Sequence, residues 1–167
     1  MRIFTRVDSE IGKLYIVAEN NRLSAIHIGQ MDFIAKEEIP LLTEEPGNEF
    51  LQECVTQLIE YFSGLRTAFT LPLDQKGTDF QIDIWNKLAE IPFGQTKSYQ
   101  DIAIAVGRPK AVRAVGQANK ANKIPIIIPC HRVIGKNQTL TGYAGSRKDL
   151  KKILLTIEGA SFKGDRN

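Results

Sequence analysis

The chain has 167 residues, 43% hydrophobic and 25% charged, ordinary proportions for globular material that buries a core. No apolar run approaches the roughly 18 residues of a membrane span, and the opening Met1-Arg2-Ile3-Phe4 lacks the long apolar stretch of a secretion signal. The two cysteines, Cys54 and Cys130, lie far apart and in no CxxC pair. That excludes a disulfide framework and a cysteine zinc cluster, and it fits a reducing cytosol.

Charge is unevenly placed. Residues 1–75 carry 6 Lys/Arg against 12 Asp/Glu, a net −6, whereas residues 76–167 carry 16 against 7, a net +9. Such asymmetry turns the second half toward a polyanion, with a solvated basic face as the plainer reading. Residues 71–77 read as a linker, which divides the chain into domains at 1–75 and 76–167.

Three strand-like runs open the acidic half, at residues 3–7, 14–18 and 23–28, separated by turn residues. They predict an antiparallel meander. An acidic loop with proline and glycine is expected near residues 37–47. Asn48 then suits the cap of a helix with Leu51, Val55, Leu58 and Phe62 on one face. Cys54 falls inside that pattern as a small buried hydrophobe, and His27 reads as structural.

The basic half is organised as helices. Thr78 and Gln81 form a capping box ahead of Ile84, Trp85, Leu88 and Ala89 at helical spacing. Ser98 opens a short helix through Val106, Gly107 suits its end, and Pro109 suits the first turn of another helix over residues 109–120. Two short helices around a tight turn predict a helix-turn-helix. The second is unusual in content, with small Ala111, Ala114, Gly116 and Ala118 beside basic Lys110, Arg113 and Lys120. A smooth cationic surface suits close approach to phosphates; tight packing on a neighbouring helix is the alternative.

The chemistry centres on Ile128-Pro129-Cys130-His131-Arg132-Val133. Apolar surroundings alone raise a thiol's pKa, whereas a nearby imidazole or cation favours the nucleophilic thiolate. Cys130 is therefore a candidate nucleophile; a core cysteine beside a structural His-Arg pair fits the same dipeptide. Ser146 to Asp149 reads as the capping box of a last helix with Leu150, Ile153, Leu154 and Ile157 on its apolar face. Glu158 falls in its final turn, where a carboxylate opposes the helix dipole at a cost of about 0.3–1 kcal/mol unless a partner such as His131 or Arg132 offsets it.

At this motif the sequence closely resembles the O6-alkylguanine-DNA alkyltransferases, the methylated-DNA–protein-cysteine methyltransferases of direct DNA repair. The resemblance spans nearly the whole chain. It includes Ile11-Gly12-Lys13-Leu14, Phe93-Gly94 through Ser98-Tyr99, Arg113-Ala114-Val115-Gly116, Asn122, the Pro-Cys-His-Arg-Val core, Gly142-Tyr143 and Glu158-Gly159. It implies an α+β chain with a ribonuclease-H-like N-terminal antiparallel sheet and helix, and a mostly helical, winged helix-turn-helix-like C-terminal domain. It also implies irreversible transfer of an alkyl group from guanine O6 to a cysteine; O4-methylthymine is a further candidate substrate on which the residues do not decide. No cofactor takes part, and the partner is double-stranded DNA met by a cytoplasmic monomer with no membrane association.

By the same resemblance Cys130 is the nucleophile, His131 its base through a water, Glu158 the group orienting His131, Asn122 the brace of the turn, and Tyr99 a donor to guanine N3. Arg113 fills the vacated base stack. Gln100, Arg108, Lys110, Ala114, Gly116 and Lys136 meet DNA, and Val133 with Tyr143, Ala144 and Gly145 lines the base pocket. Some relatives hold a structural zinc in the N-terminal domain through Cys and His; with only Cys54 and His27 in that half, no metal is expected here. Ala144 stands where serine is frequent, and about one extra residue separates Tyr143 from Glu158. Three other readings stay open on the residues: a non-catalytic lesion binder, which Cys130 opposes; an alkylation-sensing regulator; and a Cys-His hydrolase with repeated turnover.

Overall fold

The computed structural model describes residues 1–140 and 147–163. The chain folds as two compact units, Met1–Lys76 and Gly77–Asn167.

In the first unit, β1 (Arg2–Ser9), β2 (Gly12–Glu19) and β3 (Arg22–Ile28) form the expected antiparallel meander. Asn20 and Asn21 between β2 and β3 both have positive φ, 53° and 58°, as a two-residue turn matched to strand twist requires. The acidic stretch is more ordered than its composition suggests. Ahead of it α1 (Gln30–Lys36) forms, and within it a 3-10 turn (Ile39–Leu41) leads into β4 (Leu42–Glu44), which pairs parallel with β1 to give the order β3-β2-β1-β4. The expected loop at 37–47 is corrected accordingly: β4 is only three residues long, too short for a period-2 pattern to show.

β2 is buried on both faces, Leu14 through Ala18, because a helix covers each. Phe33 of α1 stacks on Tyr15 at 4.4 Å and joins Phe4, Val17 and Ala25 on one side, while α2 (Glu49–Phe62) packs against β1 and β2. Asn48 caps α2 as expected, its side chain accepting from the Leu51 N–H at 3.0 Å. The buried face runs through Leu51, Cys54, Gln57, Leu58 and Tyr61, so Val55 and Phe62 sit at its margin rather than its centre. Cys54 is fully buried, in line with the sequence pattern, and burial pushes its thiol up to about 12. His27 is likewise structural: its Nε2 meets Glu37 at 2.6 Å and its Nδ1 faces Asp32 at 3.7 Å, which fastens α1 and the segment after it to β3.

The second unit contains α3 (Asp79–Ala89), β5 (Lys97–Ser98), α4 (Tyr99–Ala105), α5 (Val112–Lys120), a 3-10 turn (Cys130–Arg132), β6 (Val133–Ile134) and α6 (Lys148–Ile157). Both early caps form as expected: Thr78 with Gln81 at α3, and Ser98 with Asp101 at α4. Gly107, just past α4, has φ 77°, the left-handed conformation that ends helices. Two helix starts differ from expectation. α5 begins at Val112, because Pro109 lies in the preceding turn, where its carbonyl accepts from Gln100 Nε2 at 2.9 Å. α6 begins after Arg147 with no side-chain cap; Ser146, expected to cap it, lies outside the described residues. β5 and β6 form a short parallel ladder, Lys97↔Val133 and Ser98↔Ile134.

Candidate active site

The segment after α5 is apolar, buried and folded back on itself. The Ile128 N–H donates to the Ile124 carbonyl at 2.9 Å. Asn122 brackets this turn from its side: Oδ1 accepts from the Ile124 N–H at 3.0 Å and Nδ2 donates to the Ile128 carbonyl at 2.8 Å. Ile126 at the crest has φ 75°, a conformation β-branched residues avoid. Such strain persists only where the surroundings over-determine it; here the two Asn122 bonds and the buried isoleucines do so. The strain sits four residues before Cys130.

Cys130, His131 and Arg132 then occupy one 3-10 turn. At three residues per turn, successive side chains leave about 120° apart, so sequence neighbours do not lie side by side. Both basic side chains reach Glu158, the C-cap of α6. His131 Nε2 meets Glu158 Oε2 at 2.7 Å, while Arg132 Nε and Nη2 donate to Oε1 and Oε2 at 2.8 and 3.0 Å. Arg132 Nη1 also donates to the Ile91 carbonyl at 2.7 Å. His131, Arg132 and Glu158 are all buried, and a carboxylate with this many charge-assisted bonds no longer opposes the helix dipole uncompensated. Gly94, with φ 85°, lies against the Glu158 carbonyl, 3.2 Å from where a Cβ would stand, so a side chain there would press on this corner.

The resting electrostatics favour neutral groups. Burial pushes the Cys130 thiol up, against a hydrogen bond from Asn122 and the positive charge of Lys151, which both favour thiolate. Burial also lowers His131, with Glu158 pulling the other way, so the imidazole is held neutral and able to accept a proton. Lys151 of α6 is fully buried and pushed down to about 8 by desolvation, while Cys130 supports its charge; its Nζ lies 6.0 Å from the centre of the Tyr99 ring. Val133, also buried, follows the turn on β6. Cys130, His131, Asn122, Glu158, Val133 and Tyr99 are thus gathered around one corner of the unit.

Most of the residues expected to meet DNA are exposed instead. Arg113 and Ala114 near the start of α5, and Arg108 and Lys110 in the turn before it, all face solvent; Arg108 lies over the Phe80 ring at 5.5 Å. The small residues of α5 divide by role. Ala118 is buried and its carbonyl accepts from the Trp85 indole at 2.9 Å, so there close packing accounts for alanine. Gly116 is half-buried, yet a Cβ built on it meets nothing within 4 Å, so packing does not account for glycine. Lys136 is exposed in a separate turn after β6. Tyr143, Ala144 and Gly145 lie outside the described residues.

Sequence reasoning missed Lys151. The buried face of α6 is Leu150, Lys151, Leu154 and Leu155, turned from the expected Leu150, Ile153, Leu154 and Ile157, and Leu150-Lys151-Lys152 reads in sequence as a polar edge. Among the described residues no helix is long and apolar enough to cross a membrane.

Residues 3–75 match the 6-O-methylguanine DNA methyltransferase ribonuclease-like domain, and residues 79–160 match the DNA binding domain of the same family. The constitutive methylated-DNA–protein-cysteine methyltransferase of Bacillus subtilis is 50% identical over 163 residues, covering 98% of this chain and 99% of that protein. The crystal structure of the Mycobacterium tuberculosis O6-methylguanine methyltransferase superposes with a TM-score of 0.87 at 40% identity, over 95% of this chain and 93% of that one. A structure of the same mycobacterial protein in complex with DNA gives 0.85 at 40% identity, over 94% and 92%. With a Cys-His-Arg turn clamped by a buried carboxylate and matches along both units, this chain belongs to the 6-O-methylguanine DNA methyltransferase family.

Proposed function

We propose that this chain repairs alkylated DNA by taking the alkyl group of O6-alkylguanine, methyl above all, onto Cys130, once per molecule and without a cofactor. The observation that carries it is the buried Cys130 in one turn with a neutral imidazole whose Nε2 is held by Glu158.

The chemistry follows from those groups. His131 removes the thiol proton through a water and becomes imidazolium, whose charge Glu158 compensates. The thiolate, favoured by Asn122 and Lys151, attacks the methyl carbon in line; the S–C bond forms as the C–O6 bond breaks. The guanine leaves as an anion, and the Tyr99 hydroxyl donating to N3 stabilises it until it regains a proton. The product is a thioether, which nothing in the site can cleave, so each protein acts once.

A thiol only 5% exposed cannot reach a base stacked in duplex, so the nucleotide is rotated out, at least cost where the lesion pairs poorly. Exposed Arg113 fills the gap in the stack. α5 lies in the minor groove, where a smooth helix lets the backbones approach, while Arg108, Lys110 and Lys136 meet phosphates and Gln100 steadies the turn before α5. Val133 lines the base pocket on this reading. The chain works as a monomer.

Gly116 offers a separate check. Glycine in a helix interior costs about 1 kcal/mol relative to alanine, and among the described residues nothing blocks a methyl there. Gly116→Ala is therefore expected to raise the melting temperature and yet weaken duplex binding about tenfold, as close approach is lost. Unchanged affinity by fluorescence anisotropy would remove this face of α5 from the interface.

The deciding experiment is incubation with a duplex carrying one methyl-labelled O6-methylguanine. One label per protein, on the peptide containing Cys130, is the expected result. Lesion binding without transfer would mean that the chain only flags damage; many turnovers per protein would point to a hydrolase.

A further inference from the structure

α5 turns three residues inward, Val115, Ala118 and Asn119. Two are apolar, as a packed helix face requires; the third is an amide, 7% exposed. Its Nδ2 donates to the main-chain carbonyl of Cys130 at 3.4 Å. That contact fixes which way the amide faces, because turning it over would set two oxygens against each other. Its Oδ1 is then a buried acceptor with no hydrogen-bond partner among the described residues. Holding the Cys130 carbonyl needs a donor alone, so the remaining acceptor, beside the Cys130 peptide, calls for a hydrogen from elsewhere, of the kind a buried water supplies.

We infer that Asn119 is a positioning residue whose Oδ1 holds and orients the water that carries the proton from Cys130 to His131. This rests on the alkyl-transfer reading above. The water points one hydrogen at Asn119 Oδ1 and the other at His131 Nδ1, since Nε2 faces Glu158; its lone pair is thereby left toward the thiol S–H. The thiol proton passes to the water oxygen as the water's own hydrogen passes to Nδ1. Thiolate and imidazolium form together, and the water is restored. Asn119 Oδ1 steadies the water while it bears excess positive charge.

The test separates acceptor from donor. Asn119→Asp keeps an acceptor oxygen and removes the Nδ2 donor; Asn119→Ala removes both. Lys151, Glu158, Arg132 and Tyr99, the charged and titratable groups around the thiol and imidazole, are kept in both variants, and Asn119→Asp adds one carboxylate. Single-turnover methyl transfer across a pH series, with lesion affinity measured in parallel, gives the readout. Asn119→Ala is expected to slow transfer about 30-fold and move the rising limb of the rate profile to higher pH. Asn119→Asp is expected to remain within about threefold of the parent on the plateau, its limb moved to higher pH, since a carboxylate favours imidazolium over imidazole and thiol over thiolate. Lesion affinity should hold in both. Equal losses with an unmoved profile would reduce Asn119 to a brace for the Cys130 carbonyl and overturn the proposal. Should either variant fail to fold, a high-resolution crystal structure of the parent decides: a water oxygen within hydrogen-bond distance of Asn119 Oδ1 is expected, and clear density without one overturns it. A parent protein that transfers no methyl at all would instead refute the functional reading.

Discussion

Cys130→Ser is expected to leave the fold and lesion binding intact while lowering methyl transfer by at least about a thousandfold, because a hydroxyl supplies almost no nucleophilic anion near neutral pH. The substitution is nearly isosteric at a site buried by Ile128, Val133 and the Asn122 bracket, so little packing is lost. Nothing else in the chain can take its place. The other thiol, Cys54, is fully buried in α2 and raised to about 12, with Glu53 adding to the effect of burial; it is therefore a thiol throughout the working range. Labelled duplex and peptide mapping read the outcome. Transfer that persisted in the serine variant, with label on the Cys54 peptide, would move the nucleophile to the first unit and undo the assignment.

Glu158→Ala is expected to act on stability and chemistry together. The carboxylate accepts three bonds, from His131 Nε2 and from Arg132 Nε and Nη2, and its loss leaves a buried guanidinium without its counter-ion. Removing one partner of a buried pair costs about 3–5 kcal/mol, a large share of the roughly 5–15 kcal/mol that holds a domain folded. Denaturant unfolding should show that loss; a change below about 1 kcal/mol would mean the clamp contributes little. At a temperature where the variant stays folded, transfer should still fall, since the imidazolium has lost the carboxylate that compensates it. In the parent, burial holds His131 below its unfolded value of about 6.5. Under acid the unfolded chain takes up that proton first, so this residue's effect is to lower stability as pH falls below about 6.5, down through the depressed folded value.

Much of this was legible in sequence, for reasons that differ by residue. Caps at Asn48, Thr78 and Ser98 are local hydrogen-bonding choices, so a few neighbouring residues determine them. The meander was legible because apolar runs and turn residues alternate on a short scale. The Cys-His-Arg turn was legible through a contiguous motif, and Glu158 through the oddity of a carboxylate at a helix end. What escaped depends on distant parts of the chain. β4 exists because β1 offers an edge to it. The start of α5 moved to Val112 because the Pro109 carbonyl finds the Gln100 amide. Lys151 is the sharpest case: amphipathic patterning sends a lysine to solvent, and only the folded unit sets it inside, near Cys130 and Tyr99. Asn119 escaped for the same reason, as a polar residue on the inner side of a helix otherwise patterned by small ones.

The bonds of Arg132 also bear on how the protein comes to be reactive. Its partners Ile91 and Glu158 lie 41 and 26 residues away along the chain, so the corner closes only after two long loops have been drawn in. Non-local contacts of this kind form late and slow a domain's folding. On the alkyl-transfer reading, a chain in which this corner has not closed holds an ordinary cysteine, and the reactive thiol comes with the fold of the second unit. Reactivity on that reading is coupled to completion of the fold, so that a protein proposed to act once is not consumed before it can recognise its target.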